Sequence, residues 1–143
     1  MKRGSKGFTM TELAVIIVII IVMSTILVPR FLTGMRESKL RSAAQITSAA
    51  MKYARQLSIT SRDEIAVSAV SPGEKLYLVN IDTGDTARVY ELPDGATISS
   101  ITASPHFFPR GLVTPTGTIQ VATSSGAMNV IVNIHGRVRI EDA

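Results

Sequence analysis

Between residues 8 and 28 the one charged side chain is Glu12, four positions after Phe8 at the head of an otherwise apolar run. An ionised carboxylate inside a bilayer costs on the order of 2.5–3.5 kcal/mol, so it needs a cation. No basic side chain lies within the run. A backbone cut between Gly7 and Phe8 would create one, an α-amine one helical turn from Glu12 of its own or a neighbouring chain. A second constellation lies at the other end, in Gly136-Arg137-Val138-Arg139-Ile140. As a strand, this segment puts Val138 and Ile140 on one face and both arginines on the other, about 6.6 Å apart. Two guanidinium groups so placed can hold successive phosphates. Arg110 is a third contact only if its loop folds toward the tail. A terminal edge strand, charged to discourage edge pairing, accounts for the same arginines without a ligand.

Other chemistry finds little support. The 143 residues include no cysteine, which removes disulfides, thiolate metal sites and cysteine nucleophiles together. His106 sits in a proline-rich loop and His135 in a turn, and each is accounted for as a hydrogen-bonded turn residue. No GxSxG, Walker or HExxH pattern occurs. Asp82-Thr83-Gly84-Asp85 could suggest calcium, but a glycine-containing hairpin turn explains it with fewer assumptions. The expectation is a protein without catalytic residues, cofactor or metal site, which is not an enzyme; the reaction implied is one performed on the chain.

The formal charge of +4 and a pI near 9.8 invite a nucleic-acid-binding reading. The distribution of charge weakens it. Residues 1–7 carry +3, residues 8–62 carry +5, and residues 63–143 carry −4. The basic character belongs to the N-terminal third, and without residues 1–7 the formal charge falls to +1.

Apolar residues are equally uneven. From 13 to 28 only Ser24 and Thr25 are polar. Residues 8–28 as a helix span about 32 Å, close to a hydrocarbon core of about 30 Å. Val15 to Val22 is a run of eight β-branched residues, but the whole segment is too long for a strand, and a lone strand cannot satisfy its backbone in lipid. A cleaved secretory signal is the alternative; the run is longer than a usual h-region and ends in Val28-Pro29-Arg30-Phe31 without an A-x-A site. An ordinary single-pass anchor, N-terminus in the cytoplasm, fits the basic flank but leaves Glu12 unexplained.

Beyond Pro29 the helical period resumes. Leu32, Leu40, Ala43, Thr47, Ala50, Ala54 and Leu57 form an apolar stripe, widened by Ala44, Met51 and Tyr53. The basic residues among them read as a solvated face, and Arg30 and Arg36, nearest the span, stand where anionic headgroups would meet them. From residue 64 the period changes to two. Strands are expected at 65–70, 76–81, 87–92, 97–102, 118–122, 128–134 and 137–140, with a long loop at 104–117. The fold class expected is α+β: a long N-terminal helix, membrane-spanning in its first half, packed on a small antiparallel β-sheet head that needs the helical stripe to complete its core. The division expected is a leader at 1–7, a transmembrane and assembly helix at 8–29, an amphipathic helix at 30–62 and a β-rich head at 63–143.

Lys6-Gly7-Phe8-Thr9-Met10-Thr11-Glu12-Leu13 resembles the class III signal of the type IV prepilin family. Met10 and Thr11 stand where larger aliphatics are more usual. Phe107-Phe108-Pro109-Arg110-Gly111, Gly117-Thr118-Ile119-Gln120-Val121, Val130-Ile131-Val132-Asn133-Ile134 and Gly136-Arg137-Val138-Arg139 resemble the GspH/FimT type of pseudopilin and minor pilin. The resemblance implies cleavage between Gly7 and Phe8 by prepilin peptidase, N-methylation of Phe8, an assembly role for Glu12 and a helix kink at Pro29. It implies a minor subunit of a type II secretion pseudopilus or type IV pilus, single-pass in the bacterial inner membrane with a periplasmic head before it enters the fibre. Its partners would be other pilins or pseudopilins and the inner-membrane assembly platform. The alternative it implies is a DNA-binding minor pilin acting in DNA uptake through Gly136, Arg137 and Arg139.

Overall fold

The computed structural model describes residues 8–143, and the expected leader at 1–7, with Gly7, lies outside the described residues. One helix, α1 (Met10–Ser61), precedes eight strands: β1 (Ile65–Ala69), β2 (Lys75–Asn80), β3 (Thr86–Glu91), β4 (Thr97–Ile101), β5 (His106–Phe107), β6 (Thr118–Thr123), β7 (Gly126–Val132) and β8 (Val138–Asp142). The chain divides into two compact units, the first ending at Met35 and the second running from Arg36 to Ala143.

In the first unit α1 is apolar and long enough to cross a membrane. The β-branched run at 15–22 is helical, because a helix satisfies its own backbone where no strand partner exists. The side chains from Phe8 to Val28 are exposed all round the helix. The two polar exceptions turn inward. Ser24 Oγ donates to the Ile20 carbonyl and Thr25 Oγ1 to the Val22 carbonyl, both at 2.7 Å, so neither hydroxyl needs water.

In the second unit the rest of α1 packs on two four-stranded antiparallel sheets, ordered β3-β2-β1-β5 and β4-β6-β7-β8. Alternation sets the buried faces. Leu76 and Leu78 of β2, Ile119 and Val121 of β6, and Val130 and Val132 of β7 are buried, with Val67 opposite Leu78 and Ile119 opposite Val130. They share one core with Ala43, Ala44, Ala50, Met51 and Ala54 of α1. Four of those five are alanine. Thr47 and Ser58 are buried with them, and their hydroxyls donate to helix carbonyls of Ala43 and Arg55. Among the described residues no buried side-chain polar atom lacks a partner.

The structure corrects the expected details. The stripe begins at Leu40, since Leu32 is exposed; Tyr53 is half out of the core, edge-on to Tyr90, with the Arg88 guanidinium 5.0 Å from its ring centre. That contact tethers β3, an edge strand with little other burial. The Lys75–Glu91 ion pair at 2.7 Å ties β3 to β2, and their mutual hydrogen bond holds Glu91 below the ordinary carboxylate value and Lys75 above the ordinary ammonium value. The seven expected strands appear with ends shifted by at most two residues, and the 104–117 loop contains an additional short strand, β5. Two residues flanked by prolines carry no period by which β5 could be anticipated. Asp82 and Asp85 lie in the β2–β3 hairpin turn, where Asn80 Oδ1 accepts from the Asp82 and Thr83 amides.

Ala50 is fully buried between helix and sheets. Ala50→Leu is expected to cost about 1–3 kcal/mol by overpacking, read as a lower denaturation midpoint of the detergent-solubilised chain. An unchanged midpoint would show that this contact is loose.

Candidate functional site

Two places carry the chemistry expected of the chain, and they lie in different units. At the start of α1, Thr9 caps the helix. Glu12 Oε2 accepts from the Thr9 amide and from Thr9 Oγ1, both at 3.0 Å, while the Glu12 amide donates to Thr9 Oγ1 at 3.2 Å. This is a reciprocal capping box, and its sequence signal, Thr-x-x-Glu before an apolar run, is present at 9–12. The charge of Glu12 within an apolar run masks that signal, since the same residue reads first as an intramembrane carboxylate. The two bonds fix the carboxylate against the first turn. Phe8 is 76% exposed beside it. One carboxylate oxygen has no bond among the described residues, so the group can still accept from a cation.

The second place is where the 104–117 loop meets the β7–β8 hairpin. The Val113 amide donates to the Ile134 carbonyl at 2.9 Å, so the loop does fold toward the tail. Beneath both lies Arg55 of α1. Its Nε donates to the Gly111 carbonyl at 3.3 Å, and Ser58 Oγ donates to the Phe108 carbonyl at 3.2 Å. Gly111 and Gly136 both have positive φ, +78° and +72°. A Cβ on Gly136 would lie 2.7 Å from Arg55 Cδ and Nε, and one on Gly111 would lie 3.3 Å from Arg55 Nη2. Both glycines are therefore required by the left-handed turns and by the arginine packed under them. They belong to two of the four C-terminal motifs.

Arg137 and Arg139 are exposed, but they are not equivalent. Arg139 is in β8, opposite Ile131, whereas Arg137 belongs to the turn. The Asn133 amide donates to the Arg137 carbonyl at 3.1 Å and the Arg137 amide to Asn133 Oδ1 at 2.8 Å. The expected four-residue strand with both arginines inside it is thus corrected: pairing begins at Val138, because Asn133 takes up the Arg137 backbone. β8 is the outer strand of its sheet and ends in the acidic Glu141 and Asp142.

His106 is in β5, where its Nδ1 lies 2.7 Å from Glu64 Oε1 in a half-buried pair. That corrects its expected place in a loop. His135 lies in the hairpin turn, its amide donating to Asn133 Oδ1. Among the described residues no three His, Cys, Asp or Glu side chains gather as a metal site.

A long N-terminal helix, apolar at its start and packed on small antiparallel sheets further on, is the pilin-like fold. Solved structures of that class are similar to the chain. The type IV minor pilin FimU of Pseudomonas aeruginosa aligns with a TM-score of 0.60 at 21% identity, over 73% of this chain and 90% of that one. The minor pseudopilin EpsH of the Vibrio cholerae type 2 secretion system aligns with a TM-score of 0.61 at 14% identity, over 73% of this chain and 97% of that one. At these identities the likeness is one of fold. No protein-family model and no curated protein sequence matches the chain.

Gly136→Ala is expected to destabilise the chain by at least about 1–2 kcal/mol from the left-handed backbone alone. Arg55→Ala should relieve the added crowding, so the double variant should be less destabilised than the sum of the singles by about 0.5–3 kcal/mol. Strict additivity in a denaturation cycle would separate the two residues.

Proposed function

We propose that this chain is a minor subunit of a type IV pilus or of a type II secretion pseudopilus. The observation that carries the reading is the combination of a pilin-like head with an apolar helix left bare on every side. Such a helix needs lipid before assembly and other helices after it. The prepilin-like signal supports processing between Gly7 and Phe8 by a prepilin peptidase, with N-methylation of the new terminus. Pro29, which has no amide hydrogen, is the proposed kink, because one helix bond is missing there. The chain would wait in the inner membrane, N-terminus cytoplasmic and head periplasmic, until an assembly platform moves it into the fibre.

Glu12 has a defined part in this reading. The capping box aims its carboxylate at the helix start, where the cationic amine of Phe8 would arise. Between chains, that charge pair would set the axial register of an incoming subunit; within lipid, it offsets the cost of the buried carboxylate. The same box keeps the first turn of α1 closed while the subunit waits in the membrane.

A second reading, DNA binding through Gly136, Arg137 and Arg139, is supported by the exposure of both arginines and by the fold of the Arg110 loop toward the hairpin. Against it, Arg55 already accounts for Gly136, and the −4 of residues 63–143 supplies no broad basic field. The structural role is the better supported of the two.

Glu12→Ala should leave membrane insertion intact and the mature terminus at Phe8 by mass spectrometry, while lowering incorporation into fibres. Normal incorporation would remove Glu12 from assembly, and an intact Met1 in the presence of the peptidase would remove the prepilin assignment. For the second reading, Arg137→Gln with Arg139→Gln should abolish whatever DNA binding the chain shows at low salt. Binding that survives both changes does not use this element.

A further inference from the structure

Six basic residues lie on α1, and the structure separates them. Lys39 Nζ donates to the Asp94 carbonyl at 3.1 Å, Arg41 pairs with Glu37 at 3.1 Å, and Arg55 is held under Gly111. Arg30 and Arg36 make no hydrogen bond or ion pair among the described residues, nor does Lys52, which lies about 36 Å of helix beyond Val28. Around the two arginines the helix is bare: Phe31 is 70% exposed, Leu32 49% and Met35 46%.

We propose that Arg30 and Arg36, with Phe31, Leu32 and Met35, bind anionic phospholipid headgroups in the outer leaflet of the membrane that holds residues 8–29; this rests on the membrane reading of that segment. Three observations support the occupant. The stretch continues directly from an apolar span that matches the hydrocarbon thickness, so the next turns of the helix enter the headgroup layer. Helical side chains lean toward the N-terminus, so position 36, about two turns beyond Val28, favours a reach back toward that layer, while Arg30 already stands at its edge. Arginines on the translocated flank of a span are also the ones that orientation bias disfavours, and these two have no partner among the described residues to explain them. A guanidinium fork matches a phosphate bidentately, and the exposed apolar side chains between the arginines lie among the same headgroups. Because the helix crosses the layer and does not lie in it, the residues need not share one face. Glu37 does not compete, since Arg41 occupies it. The consequence for function is a lipid hold at the rim of the span, which extraction into a fibre must break.

The chain has no cysteine, so Ser38→Cys can carry a single fluorescent donor. The full chain is reconstituted at low salt into vesicles of phosphatidylcholine with about one-fifth phosphatidylglycerol, and energy transfer is read to acyl-labelled versions of either lipid. The labelled phosphatidylglycerol should be enriched around the donor by about five-fold per arginine, decaying toward parity at high salt. Arg30→Gln with Arg36→Gln should bring it to parity, and Lys39→Gln with Lys52→Gln should leave it in place. Parity in the unsubstituted chain, or enrichment that survives Arg30→Gln with Arg36→Gln, overturns the proposal. Failure of the chain to float with vesicles of either lipid overturns the membrane reading itself, a separate result.

Discussion

A helix satisfies its own backbone hydrogen bonds, and everything else in this chain depends on that property. It allows one 52-residue element, α1, to carry side chains suited to two different surroundings without a break. Toward the N-terminus, apolar residues cover the whole circumference, and the hydroxyls of Ser24 and Thr25 close onto helix carbonyls. Further on, a stripe of alanines faces the sheets and charged residues face outward. The backbone is helical from Met10 to Ser61, and the side chains decide which medium surrounds each turn.

The head shows how small residues and one long side chain organise a domain that has no disulfide. Alanines of α1 line the core, which is continuous from helix to both sheets. At its far end the chain must bring together a proline-rich loop and a terminal hairpin. Arg55 does this from below: it donates to the Gly111 carbonyl and fills the space that any side chain at Gly136 would need. Two short C-terminal motifs that look independent in the sequence are thus parts of one packing arrangement.

Charge follows the same division. Within the second unit, most basic residues of α1 are spent on local bonds, such as Lys39 on the Asp94 carbonyl and Arg41 on Glu37. Their contribution to a high isoelectric point therefore says little about a nucleic-acid partner. Arg88, stacked against Tyr53 and Tyr90, likewise serves to hold an edge strand. What remains uncommitted near the span is a pair of arginines among exposed apolar residues, a chemistry suited to a membrane surface.

The amino-acid sequence by itself determined the helix, its apolar length, the change of period from helix to strand, and the order and approximate places of seven strands. These are properties of nearest neighbours and of period, and they survive without knowledge of the fold. It also displayed Thr9 and Glu12 at the spacing of a capping box, because that motif is local. Only the tertiary structure decided that Leu32 stays outside the core and Tyr53 lies at its margin, that His106 joins a two-residue strand beside Glu64, and that Arg137 belongs to a turn. It alone joined Gly111, Gly136 and Arg55, which are distant in sequence. Each of these rests on which segments meet in space, and a residue's neighbours along the chain do not contain that information.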